Sequence, residues 1–178
     1  MADETTPSGD QAAAPTEAQK AEQPRVILHS QFLQDMSFEN QNGSQSFTKG
    51  DLSPQVKLNL NVDSRKLGES TYEVALKITG DATQDGERCF LVEVDYRGVF
   101  SLTGADENVI QPILMVEGPR MIFPFARRIV ADAVRDGGFP PLMLEPVDFL
   151  SVFRQRVAQR AAAEAQPAAE AAPEPSAT

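Results

Sequence analysis

Four stretches in the first two thirds of the chain alternate between apolar and polar positions. Residues 26–40 (VILHSQFLQDMSFEN) do so loosely: Leu28, Phe32, Met36 and Phe38 share one parity, His29, Gln31, Asp35, Ser37 and Glu39 the other, and Leu33 breaks the rule. Residues 56–64 (VKLNLNVDS) alternate strictly, with Val56, Leu58, Leu60 and Val62 against Lys57, Asn59 and Asn61. Residues 71–82 repeat the pattern with Tyr72, Val74, Leu76 and Ile78, and residues 89–102 with Phe90, Val92, Val94 and Tyr96 against Leu91, Glu93, Asp95 and Arg97. A side chain every second position faces the same way on a strand, so this pattern predicts an antiparallel sheet with one buried and one wet face. The links SRKLGEST and TQDGE are turn-like, and predict that the second, third and fourth strands form a meander. The link QNGSQSFTKGDLSPQ (41–55) is too long for a hairpin and carries Phe47 and Leu52, the marks of a crossover or a functional loop.

Helical spacing follows. DENVIQPILMVEG (106–118) and PRMIFPFARRIVADAVRD (119–136) read as helix interrupted around Gly118-Pro119, with Pro124 in the first turns of the second piece. Ile122, Phe125, Ala126, Ile129, Val130, Ala133 and Val134 form a broad apolar stripe that must be covered by the sheet, another subunit or both. Gly137-Gly138 stop this helix, and Pro146 is placed to open a last one with Phe149, Leu150, Phe153 and Val157 on one side. The predicted fold class is therefore α+β: a four-stranded antiparallel sheet, a long crossover loop after strand one, and helices packed on one face.

Composition trims the domain. Residues 1–25 and 161–178 are rich in Ala, Pro, Glu and Gln with little to bury, and are expected to be disordered tails around a globular unit of 26–160. These ends hold eight of the 26 acids and two of the 16 bases, so they carry most of the net charge of −10. An acidic balance argues against nucleic acid as a partner and suits a basic one. The lone Cys89 permits no disulfide within the chain, and its strand-like setting makes it a small core residue. Neither a signal-peptide pattern nor an apolar run of membrane-spanning length is present, which predicts a cytoplasmic protein without direct membrane insertion.

Chemistry-bearing patterns are sparse. His29 is the single histidine; there is no Cys/His cluster for a metal, no glycine-rich phosphate loop and no nucleophile elbow, so no enzyme and no cofactor is expected. Two features remain. Asp35, Glu39, Glu93 and Asp95 fall on the polar parity of strands one and four, either as an ordinary solvated sheet face or as a flat acidic docking surface. Loop positions carry surplus apolar residues, Phe47 and Leu52 in the crossover and Phe139, Leu142, Met143 and Leu144 within DGGFPPLMLEPVDF. These either close the core or wall a groove that adapts to many extended apolar chains.

The strings DMSFEN, FLVEVDYRGVFSL and RMIFPFARRIVADAVRDGGFPPLMLEPVDFLSVF, with the spacing between them, resemble the SecB family of protein-export chaperones from about residue 26 to 157. That resemblance implies an ATP-independent holdase. It would be a homotetramer, a dimer of dimers, that keeps unfolded precursor proteins competent for translocation and delivers them to the SecA motor. It places SecA docking at Asp35, Glu39, Leu91 and Glu93, and the client groove at Phe47, Leu52, Met143, Leu144, Phe149 and Phe153. It puts the oligomer interface on the long helix, at Ile122, Phe125, Ile129 and Val130. Leu52 stands where some relatives carry tryptophan, which weakens an aromatic subsite there. The zinc that the family meets lies on SecA, so no metal is expected here. An adaptor or scaffold of the same fold, binding one specific folded partner, is the alternative, and a carrier of a hydrophobic ligand a third.

Overall fold

The computed structural model describes residues 24–41, 43–44, 48 and 53–165 of the 178-residue chain. Four strands, β1 (Arg25–Asn40), β2 (Gln55–Lys66), β3 (Thr71–Gln84) and β4 (Glu87–Thr103), are followed by helices α1 (Glu107–Asp136) and α2 (Phe149–Ala165). The sheet order is β1-β4-β3-β2, antiparallel throughout. The meander β2–β3–β4 is the expected one. Its β3–β4 turn is Asp85-Gly86, both at positive φ (54° and 83°), the conformation in which a two-residue hairpin matches the twist of its strands. Because β1 lies beside β4, β1 and β2 form opposite edges of the sheet.

One face of the sheet is apolar. Val74, Leu76, Ile78, Phe90, Val92, Val94 and Phe100 are buried there under Leu114, Ile122, Ala126, Val130 and Val134 of α1. The opposite face is polar. Strand β1 departs from simple alternation: its register against β4 shifts between Leu28 and Ser30 and again between Leu33 and Asp35. Each shift inserts one unpaired residue, and an odd insertion exchanges the faces. Between the shifts the parity is therefore inverted. Phe32, expected with Leu28 and Met36, lies opposite Arg97 on the polar face, while the misplaced Leu33 lies opposite Tyr96 on the apolar one. Beyond the second shift the expected order returns, with Met36 opposite Val94 and Phe38 opposite Val92.

The interruption expected at Gly118-Pro119 is absent: α1 runs unbroken for 30 residues through Pro112, Pro119 and Pro124. Each proline removes one helical donor, but the buried stripe holds the axis on the sheet, and packing rather than propensity decides helix stability. Gly118 has a packing role. A Cβ there would meet Val74 Cγ2 at 2.8 Å, so only glycine lets α1 lie this close to β3. The helix ends as expected at Gly137, with Gly138 at φ 88° and the N–H groups of Gly138 and Phe139 donating to the carbonyls of Arg135 and Val134.

Candidate functional site

Residues 139–148 settle what the Gly/Pro-rich connection covers. Phe139 is buried against Phe90 (centroids 4.8 Å apart), which in turn stacks on Phe38 at 5.6 Å. Leu142 reaches the β2–β3 side of the sheet, over Gly80 beside Leu58. Leu144 is buried, and Phe149, the first residue of α2, meets Phe123 edge to face at 5.7 Å. Leu144 and Phe149, both expected in a groove, are thus spent on the core. Met143 is the outward one, 62% exposed.

Helix α2 begins at Phe149 rather than directly after Pro146, because Asp148 supplies the cap. Its Oδ1 accepts from the N–H groups of Leu150 (3.1 Å) and Ser151 (3.3 Å), and its Oδ2 from the Ser151 hydroxyl at 2.6 Å. The Ser151 hydroxyl, then its N–H, hold the Asp148 carboxyl below its usual range. From this start the inward positions of α2 are Phe149, Val152, Phe153 and Arg156, at helical i, i+3, i+4 and i+7. They face the β2 edge across an open groove made of two hollows. One, of about 560 Å³, is lined by Leu60, Val62, Met115, Val152 and Phe153 with the amides of Asn61 and Gln155; the other, of about 420 Å³, by Ser64, Gln111, Met115, Phe153, Val157 and Arg160. Phe153 is the predicted groove residue that lines both. Phe47 and Leu52 lie outside the described residues. Sequence reading missed Leu60, Met115, Val152 and Arg156; Val152 was signalled by its spacing from Phe149, and Arg156 by being a charge on an apolar stripe.

The second site is the polar face of the sheet. The pairing of β1 with β4 decides what alternation left open: Glu39 lies opposite Leu91, Ser37 opposite Glu93 and Asp35 opposite Asp95. The four residues expected at a docking surface therefore form one patch, with Asp35, Glu39 and Glu93 exposed. The Ser37 hydroxyl reaches Glu93 at 3.4 Å. Toward the middle of the sheet the acids are neutralised. Asp95 takes both Nε and Nη2 of Arg97 (3.0 and 2.8 Å), and buried Glu73 takes Arg65 in a fork (2.8 and 2.9 Å) and Arg97 Nη1 at 3.0 Å. Hydrogen bonding from Arg65 is the chief reason that the Glu73 carboxyl sits below its ordinary range, burial opposing it and Arg97 assisting.

A depressed folded-state pKa stabilises the fold above the unfolded value, and that stability is lost as pH falls through the folded one. Glu73→Gln is therefore expected to destabilise the protein at neutral pH, by on the order of 1–3 kcal/mol for charged hydrogen bonds at a buried site. Urea melts across pH should show the gap between variant and wild type closing in acid; a constant gap would count against the ion cluster.

Along α1, Ile122 and Val130 are fully buried within the chain itself and Ile129 partly so. Of the expected oligomer contacts, Phe125 is the outward one at 42% exposure, its ring stacked on Tyr96 at 6.4 Å, with Met121 exposed nearby on the helix. Among the described residues no helix is long and apolar enough to cross a membrane, and no group of three or more His, Cys, Asp or Glu is placed to hold a metal ion.

The family model of the preprotein translocase subunit SecB matches residues 19–160. Curated proteins named protein-export protein SecB are similar over most of the chain. The one from Parvibaculum lavamentivorans is 42% identical and covers 94% of this chain and 99% of its own; that from Dinoroseobacter shibae is 43% identical, covering 96% and 99%. Among solved structures, a Mycobacterium tuberculosis SecB-like chaperone in complex with a ChAD peptide from an antitoxin shares the fold. Its TM-score is 0.58 at 16% identity, over 69% of this chain and 91% of that one. By the family model over residues 19–160, by sequence similarity over most of the chain and by fold, the chain belongs to the SecB family.

Proposed function

We propose that this protein is an ATP-independent export chaperone. It holds unfolded precursor proteins in the groove between α2 and β2, without catalysing a reaction, and works in the cytoplasm as a homotetramer, a dimer of dimers. The observation that carries the reading is the groove itself. Its apolar floor of Leu60, Val62, Val152, Phe153 and a methionine, Met115, is set in a larger polar lining that carries the amides of Asn59, Asn61, Gln155 and Gln159. Apolar floor binds side chains of any shape, amide walls meet an extended backbone, and methionine adapts to what arrives. The SecB-like structure from M. tuberculosis, a fold relative, holds a peptide.

One groove binds weakly. Burying a large apolar side chain is worth roughly 1.5–3 kcal/mol, offset by the cost of ordering a flexible chain. Several grooves on one assembly raise the effective concentration of each next contact, so a tetramer holds a long client far better than a protomer does. Phe125 and Met121, exposed on α1, supply an apolar surface for assembly, and the patch around Asp35, Glu39, Leu91 and Glu93 receives SecA.

The deciding experiment is light scattering after size exclusion, on the protein alone and after mixing with a slowly folding precursor diluted from urea. A tetramer that carries the unfolded client and leaves its folded form free is the expected result. A tetramer that ignores unfolded chains would move the function to an adaptor for a folded partner.

A further inference from the structure

Arg156 stands inside the groove rather than beside it. Its guanidinium crosses from α2 to β2, where Nη1 donates to Asn61 Oδ1 at 3.1 Å and to the Val62 carbonyl, and Nη2 donates to Asp63 Oδ1 at 2.9 Å. These partners are 93–95 residues away in sequence, on the far wall. Both hollows share Met115, Phe153 and Arg156, so the side chain that spans the groove also separates the two spaces. The larger hollow lies on the Asn59–Asn61 side; the smaller is bounded by Ser64 and Gln111, joined at 2.9 Å.

The bar is not needed to hold α2. The helix is anchored by buried Phe149, by half-buried Val152 and Phe153, and by the Asp148 cap. The ion pair itself is partly wet, with side-chain exposures of 30% for Arg156 and 49% for Asp63, and such pairs are weak ties. Asp63 regains water when Arg156 swings away, and the long arginine stem can lie along Phe153 while its head moves out. The residue is therefore cheap to displace.

We propose that Arg156 is a displaceable cross-bar that divides the client groove into two chambers, each taking one short apolar anchor, and that opening it admits a continuous extended apolar segment. The inference rests on the client-holding reading. In the closed state an extended chain must leave the groove at the bar, which favours clients whose apolar residues come in short separated clusters. In the open state the floor of Met115 and Phe153 becomes continuous, and a longer segment is selected.

The test uses the full chain and two fluorescent peptides. One carries a single short apolar cluster, and the other a continuous apolar segment of about nine residues, roughly 30 Å when extended. Arg156→Ala is expected to raise affinity for the long peptide about three- to fivefold relative to that for the short one, the scale of a half-exposed ion pair. Asp63→Asn, which leaves α2 untouched, is expected to shift the long peptide the same way by less. A purely structural role would weaken both peptides together and lower the helical circular dichroism of Arg156→Ala. That result, or unchanged binding of the long peptide in Asp63→Asn, would overturn the cross-bar. Wild-type protein that binds neither peptide would overturn the client-holding reading, and the cross-bar with it.

Discussion

Phe90→Ala is expected to cost about 3–5 kcal/mol of folding stability, the range for removing a large buried ring from a packed core. The ring is 2% exposed and stands between Phe38 of β1 and Phe139 of the connection after α1, at 5.6 and 4.8 Å. Three segments distant in sequence thus meet on one side chain. Its loss leaves Phe38 and Phe139 facing a void that neither fills: Phe38 is pressed against the helix end, where a Cβ on Gly137 would lie 2.2 Å from its ring. For a domain of this size the midpoint of thermal unfolding should fall by on the order of 10 °C. Comparison at equal protein concentration is required, because the proposed subunit association would also shift the midpoint. Phe90→Leu, which refills much of the volume, should cost distinctly less. Urea melts that place the alanine variant within about 1 kcal/mol of wild type would show that the site collapses around the deletion. Phe139 leads directly into the segment that positions α2, so the same variant should loosen the groove before the sheet unfolds.

What the sequence made legible follows from which forces are local. Strands β2, β3 and β4 are written in alternation, and the Asp85-Gly86 pair closes the β3–β4 hairpin through a conformation that few other residue pairs adopt. Strand β1 is not written that way. Its two bulges arise from how it must fit against β4, and the sole trace in the chain is Leu33 falling on the polar parity. The continuity of α1 was hidden for a similar reason. Gly118-Pro119 argues locally for a break, and what overrules it is long-range burial of Ile122, Ala126, Val130 and Val134 under the sheet.

The candidate sites divide along the same line. The acidic residues could be assigned to a face by parity, but their convergence depends on β1 lying beside β4, which alternation does not encode. Apolar loop residues could be picked out as surplus; that Leu144 and Phe149 are sealed while Met143 is open depends on the path of residues 139–148 across the sheet. Arg156 carries the clearest lesson. An arginine on an apolar helix stripe reads as an interruption until the strand opposite is known to offer Asn61, Val62 and Asp63 as acceptors.

Reversing two charges on the polar sheet face, in the double variant Asp35→Lys with Glu93→Lys, is expected to abolish docking to SecA while leaving client holding intact. The two side chains lie on adjacent strands of one patch, and both are exposed and unclaimed by the arginine clusters that neutralise Glu73, Asp81 and Asp95. A basic partner meeting this patch would lose two attractions and gain two repulsions. Like charges brought together at an interface cost several kcal/mol, so a hundredfold or greater loss of affinity, about 2.7 kcal/mol, is the expected scale. The groove lies along the β2 edge, on the far side of the sheet from β1, so the variant should still suppress aggregation of a urea-diluted precursor as wild type does. Raising salt should weaken wild-type docking in the same direction, because exposed charges are screened within about 8 Å at physiological ionic strength. Titration of labelled SecA by anisotropy, beside light scattering of the client complex, separates the two activities. Retained SecA affinity would move the docking surface elsewhere, and parallel loss of both activities would mean that the reversed charges disturb the sheet that the groove is built on.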